Sequence, residues 1–267
     1  MSNNYALLDC GDGFKLEQVG KFLISRPSAT AFWKKKYEQK YWDKADLQFS
    51  RKDDRRWKKK EAVPERWRVN LEGLEFHILP TDFGHLGIFP EHAYLWRKMA
   101  PLISPCDNIL NLFAYTGGAT LFCAKQGAKV CHVDASKPMV AQARGNAKLN
   151  GLEAAPIRWI VEDVFKFLKR EIKRKMVYDG IILDPPTFGR GAQNEIFKIE
   201  EQIVPLIDLC FELSPRFIVF SCHTPGFTPT VLAQLLSGAK EKGELLLSAK
   251  SGWELPMGSY AIRSAND

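Results

Sequence analysis

Residues 108–134 read Asn108-Ile-Leu-Asn-Leu-Phe113, then Ala-Tyr-Thr-Gly-Gly118, then Ala-Thr-Leu-Phe-Cys-Ala-Lys-Gln-Gly-Ala128, then Lys-Val-Cys-His-Val-Asp134. The apolar run Ile109, Leu110, Leu112 and Phe113 predicts a buried strand, and the small residues from Ala114 to Gly118 predict a turn. Leu121, Phe122, Cys123 and Ala124 predict a helix closed by Gly127. Val130–Val133 predict the next strand, with Asp134 at its end. A strand, a glycine turn, a helix, a second strand and a terminal acid make up a nucleotide-binding half-fold. In such a unit glycine lets the ligand approach the backbone, the helix start offers N–H groups, and the acid accepts ribose hydroxyls.

The glycines of this turn are adjacent, so the G-x-G-x-x-G cradle of a pyrophosphate is missing and a dinucleotide dehydrogenase is disfavoured. A ligand with an adenosine ribose and no pyrophosphate fits better. Beyond Asp134 the alternation continues. Helix 137–149 leads to strand 157–161, helix 163–173 to strand 177–183, and helix 199–212 to strand 216–221. Helix 228–240 and two strands near 244–249 and 257–263 close the chain. Strands alternating with helices imply an α/β, Rossmann-like, doubly wound sheet, here of seven strands.

Three more motifs fall at strand ends on the same edge, where open α/β sheets bind ligands. Glu162-Asp163-Val164-Phe165 follows strand 157–161, and Asp163 is also a helix N-cap candidate. Asp184-Pro185-Pro186-Thr187-Phe188-Gly189-Arg190-Gly191 follows strand 177–183, its prolines stiffening the chain and freeing the acid from the ladder. Ser221-Cys222-His223-Thr224 closes strand 216–221.

These motifs resemble those of class I S-adenosylmethionine (SAM) methyltransferases. They are most similar to the branch holding the ribosomal-RNA large-subunit cytosine-C5 enzymes, whose turn reads Leu-Phe-x-Tyr-Thr-Gly-Gly. The resemblance is strongest over 108–191. It implies SAM as cofactor, with Phe113, Ala114, Tyr115, Thr116 and Gly117 lining the methionine moiety. Asp134 would take the ribose with Ser136 beside it, and Asp163 and Val164 would take the adenine. Asp184 would face the reacting group, so it counts as both a cofactor-site and a catalytic candidate. Pro185, Pro186, Phe188 and Arg190 are the candidates for holding substrate. Thr187 stands where amino-nitrogen enzymes carry an aromatic and the cytosine-C5 enzymes often carry Lys. The resemblance also implies that the last strand runs antiparallel between its neighbours.

Carbon-5 of a pyrimidine is a poor nucleophile, and a thiolate adding to C6 would activate it. Ser221-Cys222 matches the segment in which pyrimidine-C5 enzymes carry that cysteine, which makes Cys222 the candidate nucleophile beside a buried strand-end thiol as the bland alternative. Upstream, Gly87, Phe89 and Glu91 match a Gly-x-Phe-x-Asp-Gln segment that underlies the cofactor in this branch, with Glu91 for Asp and His92 for Gln.

The first 80 residues read as a small β module preceding a methyltransferase domain over 85–267. Asp12-Gly13 between apolar runs predicts one hairpin, and Trp67, Val69 and Leu71 with Leu74, Phe76 and Ile78 predict another. Between them, residues 28–68 form a basic excursion. Trp33–Arg68 holds fourteen Lys/Arg against seven Asp/Glu, while the rest of the chain holds 24 of each, so the whole net charge of +7 lies in this one segment. Its aromatics (Trp33, Tyr37, Tyr41, Trp42, Phe49, Trp57, Trp67) could stack on unpaired bases while Lys and Arg neutralise phosphate. Trp33, Tyr37 and Tyr41 also stand at helical spacing, which favours packing for those three. RNA, most plausibly ribosomal, is the expected partner.

No apolar stretch reaches the ~18 residues of a membrane span, and the N-terminus lacks a secretory pattern. The six scattered cysteines suggest neither a disulfide framework nor a zinc site, so no metal is expected and a reducing cytoplasm is the simplest setting. The favoured function is SAM-dependent methylation of an RNA base, with rRNA cytosine-C5 in front. The competing readings are a methyltransferase acting on a protein or small molecule, and an RNA-binding protein with a vestigial cofactor fold.

Overall fold

The computed structural model describes residues 4–50, 56–190 and 196–265. These divide into two compact units, one of Met1–Ala93 with Leu246–Met257, the other of Tyr94–Leu245 with Gly258–Asp267. The sequence puts the boundary between 80 and 85. The return of 246–257 to the N-terminal unit follows apolar packing: Leu247, Ala249 and Leu255 share one cluster with Leu7, Cys10 and Ala31.

In the N-terminal unit, β1 (Tyr5–Gly11), β2 (Phe14–Val19) and β3 (Phe22–Pro27) form an antiparallel meander. Asp12 and Gly13 both take positive φ in the first turn (50° and 80°), as a two-residue hairpin of matching twist requires. The short helix α1 (Gln39–Trp42) leads to β4 (Leu47–Phe49) and β5 (Trp57–Lys59), which extend the same sheet to five strands in the order β1-β2-β3-β4-β5. The basic segment is therefore part of the module's sheet as well as an excursion from it. Leu47 and Phe49 are buried with exposed Gln48 between them, an alternation too short to stand out among charges. Trp33, Tyr37 and Tyr41 do not share a helix. Trp33 packs on Trp253 at 5.6 Å, and Tyr37 on Tyr41 at 5.6 Å. β6 (Trp67–Leu71) and β7 (Leu74–Ile78) form the second expected hairpin.

The unit's centre holds charge. Glu17 is fully buried, Arg26 meets it through two hydrogen bonds of 2.5 and 2.9 Å, Lys15 lies 3.3 Å away, and the Tyr5 hydroxyl donates at 2.9 Å. Burial alone would raise the Glu17 carboxyl, but Arg26 and Lys15 hold it down at about 2. Buried Glu91 adds its field to the same group.

Helix α2 (His92–Met99) runs into the second unit. There follow β8 (Asn108–Leu112), α3 (Gly118–Lys125), β9 (Lys129–Asp134), α4 (Lys137–Leu149), β10 (Ile157–Val161), α5 (Val164–Lys173) and β11 (Gly180–Leu183). The ribbon β12 (Phe188–Arg190) and β13 (Ile196–Lys198) precedes α6 (Ile199–Glu212), β14 (Phe217–Cys222), α7 (Pro229–Leu235), β15 (Glu241–Ser248) and β16 (Glu254–Ser264). The sheet order is β10-β9-β8-β11-β14-β16-β15. Its first five strands are parallel, and β16 runs antiparallel to β14 from its place between β14 and β15, as the resemblance implies. Helix α7 stops at Leu235, short of the expected 240, because Ser237 and Gly238 adopt positive φ. The β12–β13 ribbon was not expected, since only Phe188–Arg190 and Ile196–Lys198 carry it.

Candidate active site

Register brings the strand-end motifs level. Leu183 of β11 pairs with Leu112 of β8 and with Phe220 of β14, so the next residues, Phe113, Asp184 and Ser221, stand side by side. Leu112 pairs with Val133 of β9, and Asp134 pairs with Val161 of β10, which sets Asp134 and the Glu162-Asp163 corner on the same edge.

The turn after β8 is unusual in its backbone. Phe113, Tyr115 and Gly117 take φ of 54°, 50° and 90°. Positive φ at two bulky residues is strained and persists only where the surroundings impose it. Asp134 is the imposing group: its Oδ2 accepts the Tyr115 N–H at 2.8 Å and its Oδ1 the Ser136 N–H at 2.8 Å. Burial pushes the Asp134 carboxyl up, and these two N–H groups oppose that shift. Each oxygen has spent one lone pair, which leaves both able to accept a ribose hydroxyl.

The two glycines serve packing. A Cβ on Gly118 would stand 2.6 Å from the Trp96 ring, and one on Gly117 would stand 3.1 Å from Ala143 Cβ. The glycine pair thus seats Trp96 and α4 against the turn. Beneath it lies a buried relay the sequence reading missed. Asn111 Nδ2 donates to Thr120 Oγ1 at 2.9 Å, and the Thr120 hydroxyl shares a hydrogen bond with His132 Nδ1, also at 2.9 Å. Burial, with Arg144 nearby, holds His132 down at about 3. The available signal was three polar residues within otherwise apolar runs.

At the next corner Asp163 is the N-cap of α5, accepting the Lys166 N–H at 3.0 Å, and Val164 is buried. Glu162 is ion-paired to Arg170. The cap uses one oxygen of Asp163 and leaves the other open.

Asp184 is half-buried, and its Oδ1 accepts a hydrogen bond of 2.8 Å from Ser221 Oγ and lies 3.6 Å from His223 Nε2. Pro185 is buried, Pro186 exposed, and Phe188 51% exposed. The Arg190 side chain lies outside the described residues, as does Gly191. Past the prolines, Thr187 and Thr224 share a hydrogen bond of 2.7 Å. Two hydroxyl contacts therefore clamp the Asp-Pro-Pro-Thr loop to the end of β14. Ser221 and Thr224 belong to the segment that the sequence singles out around Cys222, but neither has a role at Asp184 in that reading.

Cys222 is 1% exposed and belongs to the core cluster with Leu232 and Leu236. Side chains alternate along β14, so while Ser221 reaches Asp184 its neighbour faces the core. The Thr224 N–H points at Sγ from 3.4 Å, and burial pushes the thiol above its usual range. The arrangement assembles Asp134, Asp163 and Asp184 and leaves Cys222 as a protonated core thiol.

An adenosine-bearing ligand without phosphates suits this edge: open carboxylate lone pairs at Asp134 and Asp163, a buried apolar wall at Val164, and a third acid at Asp184. Residues 43–232, more than half of the chain, match the model of the S-adenosylmethionine-dependent methyltransferase family. The chain belongs to that family. A SAM-dependent methyltransferase from Agrobacterium tumefaciens has 34% identity and a TM-score of 0.93, the match covering 99% of this chain and 91% of that one. The ribosomal RNA large subunit methyltransferase K/L of Syntrophotalea carbinolica is 34% identical over 164 residues, 61% of this chain and 22% of that protein. The ribosomal RNA large subunit methyltransferase I of Aeromonas salmonicida is 44% identical over 96 residues, 36% of this chain and 24% of that protein. The matches thus span about a quarter or less of these curated relatives. Among the described residues no helix is long and apolar enough to cross a membrane.

Proposed function

We propose that this methyltransferase modifies a base of large-subunit ribosomal RNA by direct attack of a base atom on the methyl, without a cysteine adduct. The observation that carries the direct route is the contrast between neighbours on β14: Ser221 fastens a half-buried Asp184 at 2.8 Å, while Cys222 is 1% exposed. The RNA substrate is supported by the names of the relatives above and by a basic segment holding the chain's whole charge excess.

Bound SAM supplies a sulfonium-activated methyl, which needs no metal. The chain's own residues supply position and field. Asp134 and Asp163 hold the ribose and adenine, and the turn from Phe113 to Gly117, with Ala114, Tyr115 and Thr116, lines the methionine end. Asp184, stiffened by Pro185 and Pro186, orients the acceptor atom and stabilises charge developing on it. Half-exposed Phe188 offers a ring face to the base, and Arg190 stays a candidate for substrate from the sequence alone. Segment 33–68 neutralises the RNA backbone.

Cytosine-C5 chemistry is the second reading, favoured by the Ser221-Cys222 sequence. It requires Cys222 to leave the core and ionise. Both readings are tested by transfer of labelled methyl from SAM into purified large-subunit rRNA, comparing wild type, Asp184→Ala and Cys222→Ser. Loss in the Asp184 variant alone supports direct transfer. Loss in both, with a denaturation-resistant enzyme–RNA adduct in the wild type, supports the cysteine route. SAM binding without incorporation into any RNA would sink the RNA reading and leave a protein or small-molecule acceptor.

A further inference from the structure

The N-terminal unit carries a strip that neither the motifs nor the strand-end site explains. Between β3 and α1 the chain crosses the β1–β2 hairpin, and its side chains alternate. Ala31 is fully buried, Phe32 is 87% exposed, Trp33 is half-buried, the Lys34 side chain is 91% exposed, Lys35 is half-buried and Lys36 is exposed. The inner residues are anchored: Trp33 packs on Trp253 and donates Nε1–H to Cys10 O at 3.0 Å, and the Lys35 ammonium sits 4.0 Å from the Trp42 ring centre.

The backbone is fastened as firmly. Gly13 N–H donates to Ala31 O at 2.8 Å and Asp12 N–H to Trp33 O at 2.6 Å. Buried Asp9 accepts the N–H groups of Lys36 and Tyr37 at 3.1 and 2.9 Å. The strip lies so close that a Cβ on Gly11 would stand 2.4 Å from Lys35 N. Asp9 is engaged by backbone amides, while the Lys34 ammonium pairs with Asp12 at 2.9 Å and the Lys36 ammonium sits 4.0 Å from the Trp253 ring centre, both at the surface where a phosphate can compete for them.

A phenylalanine at 87% exposure on a pinned backbone presents a ring face already ordered for contact. It is flanked at the second and fourth following positions by exposed cations. An aromatic face beside spaced ammonium groups is the chemistry that takes an unpaired base and its adjoining phosphates. We infer that Phe32, Lys34 and Lys36 form a preordered single-stranded RNA contact, with a base stacked on Phe32 and phosphates met by the two lysines. This rests on the RNA reading above and names the residues of the basic excursion that would make the contact.

The test is anisotropy of a fluorescein-labelled oligoadenylate with the full chain over a range of KCl. Phe32→Ala should weaken binding roughly 5- to 150-fold, the range expected for losing one base–aromatic stack. Phe32→Trp should retain it, and Phe32→Leu, equally apolar but without a π face, should not. Lys34→Ala and Lys36→Ala should each lower the slope of log affinity against log salt by about 0.7. Since Phe32 is exposed, an unchanged thermal midpoint is expected in all its variants. Wild-type affinity in Phe32→Ala, or equal affinity in Phe32→Leu and Phe32→Trp, overturns the stack while leaving the RNA reading intact. No binding by the wild type at low salt overturns both.

Discussion

The N-terminal unit buries Glu17 against Lys15 and Arg26, so that opposite charges answer one another out of reach of solvent. The strand ends of the methyltransferase unit arrange carboxylates otherwise: Asp134 accepts two backbone N–H groups, Asp163 one, and Asp184 a serine hydroxyl. The first arrangement consumes its charge and holds a fold together. The second orients Asp134 and Asp163 through backbone amides, which leaves lone pairs on both for a ligand. Removing a group should therefore damage stability in one unit and chemistry in the other.

The largest effect is expected at Glu17. Glu17→Gln removes the carboxylate that pairs directly with Arg26 and Lys15 and leaves two buried cations facing only the field of Glu91, and breaking such a set typically costs about 3–5 kcal/mol. Denaturant unfolding should show that loss. An effect under about 1 kcal/mol would mean that solvent reaches the cluster and that the contrast is overstated.

Acid should separate the two units by pH window. His132 is held at about 3, below the ~6.5 of a free histidine, so the folded state binds fewer protons between these values. Its contribution is present above pH 6.5 and is lost as pH falls toward 3, by at most about 1.4 kcal/mol per pH unit. Glu17, held at about 2, gives up its contribution only below the ordinary carboxylate value of ~4.3. Urea unfolding from pH 7 to 4.5 should thus report His132 of these two, and His132→Asn should flatten that dependence. A slope in the variant equal to that of the wild type would remove His132 as its source.

The sequence shows the α/β unit well because apolar periodicity and glycine punctuation persist for 150 residues beyond Asn108. Helix 137–149 and strand 157–161 were legible to the residue. The N-terminal sheet was harder, since β4 and β5 are three residues each and embedded in charge. At the site, the acids are visible because they end apolar runs. The partners that hold them are not. Ser221 meets Asp184 only through the β11–β14 register, 37 residues apart. Cys222 illustrates the same limit: the motif names the residue, but alternation along β14 decides which side it faces.

Ser221→Ala tests whether the site acid is held for chemistry. Losing one hydrogen bond to a charged group should cost about 1.5 kcal/mol, read as a roughly tenfold fall in kcat with SAM affinity unchanged. Ser221→Thr should recover part of it. A matched loss of SAM affinity would assign Ser221 to the fold of the pocket instead.

The smallest effect is expected at Thr187 and Thr224, and its asymmetry is the informative part. Their hydroxyls meet at 2.7 Å, but Thr187 is exposed and Thr224 is 7% exposed. Valine preserves the β-branched shape at either position, so each substitution removes a hydroxyl and little else. Thr187→Val strands a buried hydroxyl and should cost about 1 kcal/mol. Thr224→Val leaves Thr187 to water and should cost only a few tenths. The double variant should cost less than the sum of the singles, because the pair shares one bond. Should that bond hold the Asp184 loop in place, kcat will follow the same order while SAM affinity stays constant. Equal, additive losses would mean the threonines pack independently, and the clamp on the Asp-Pro-Pro loop would reduce to Ser221 alone.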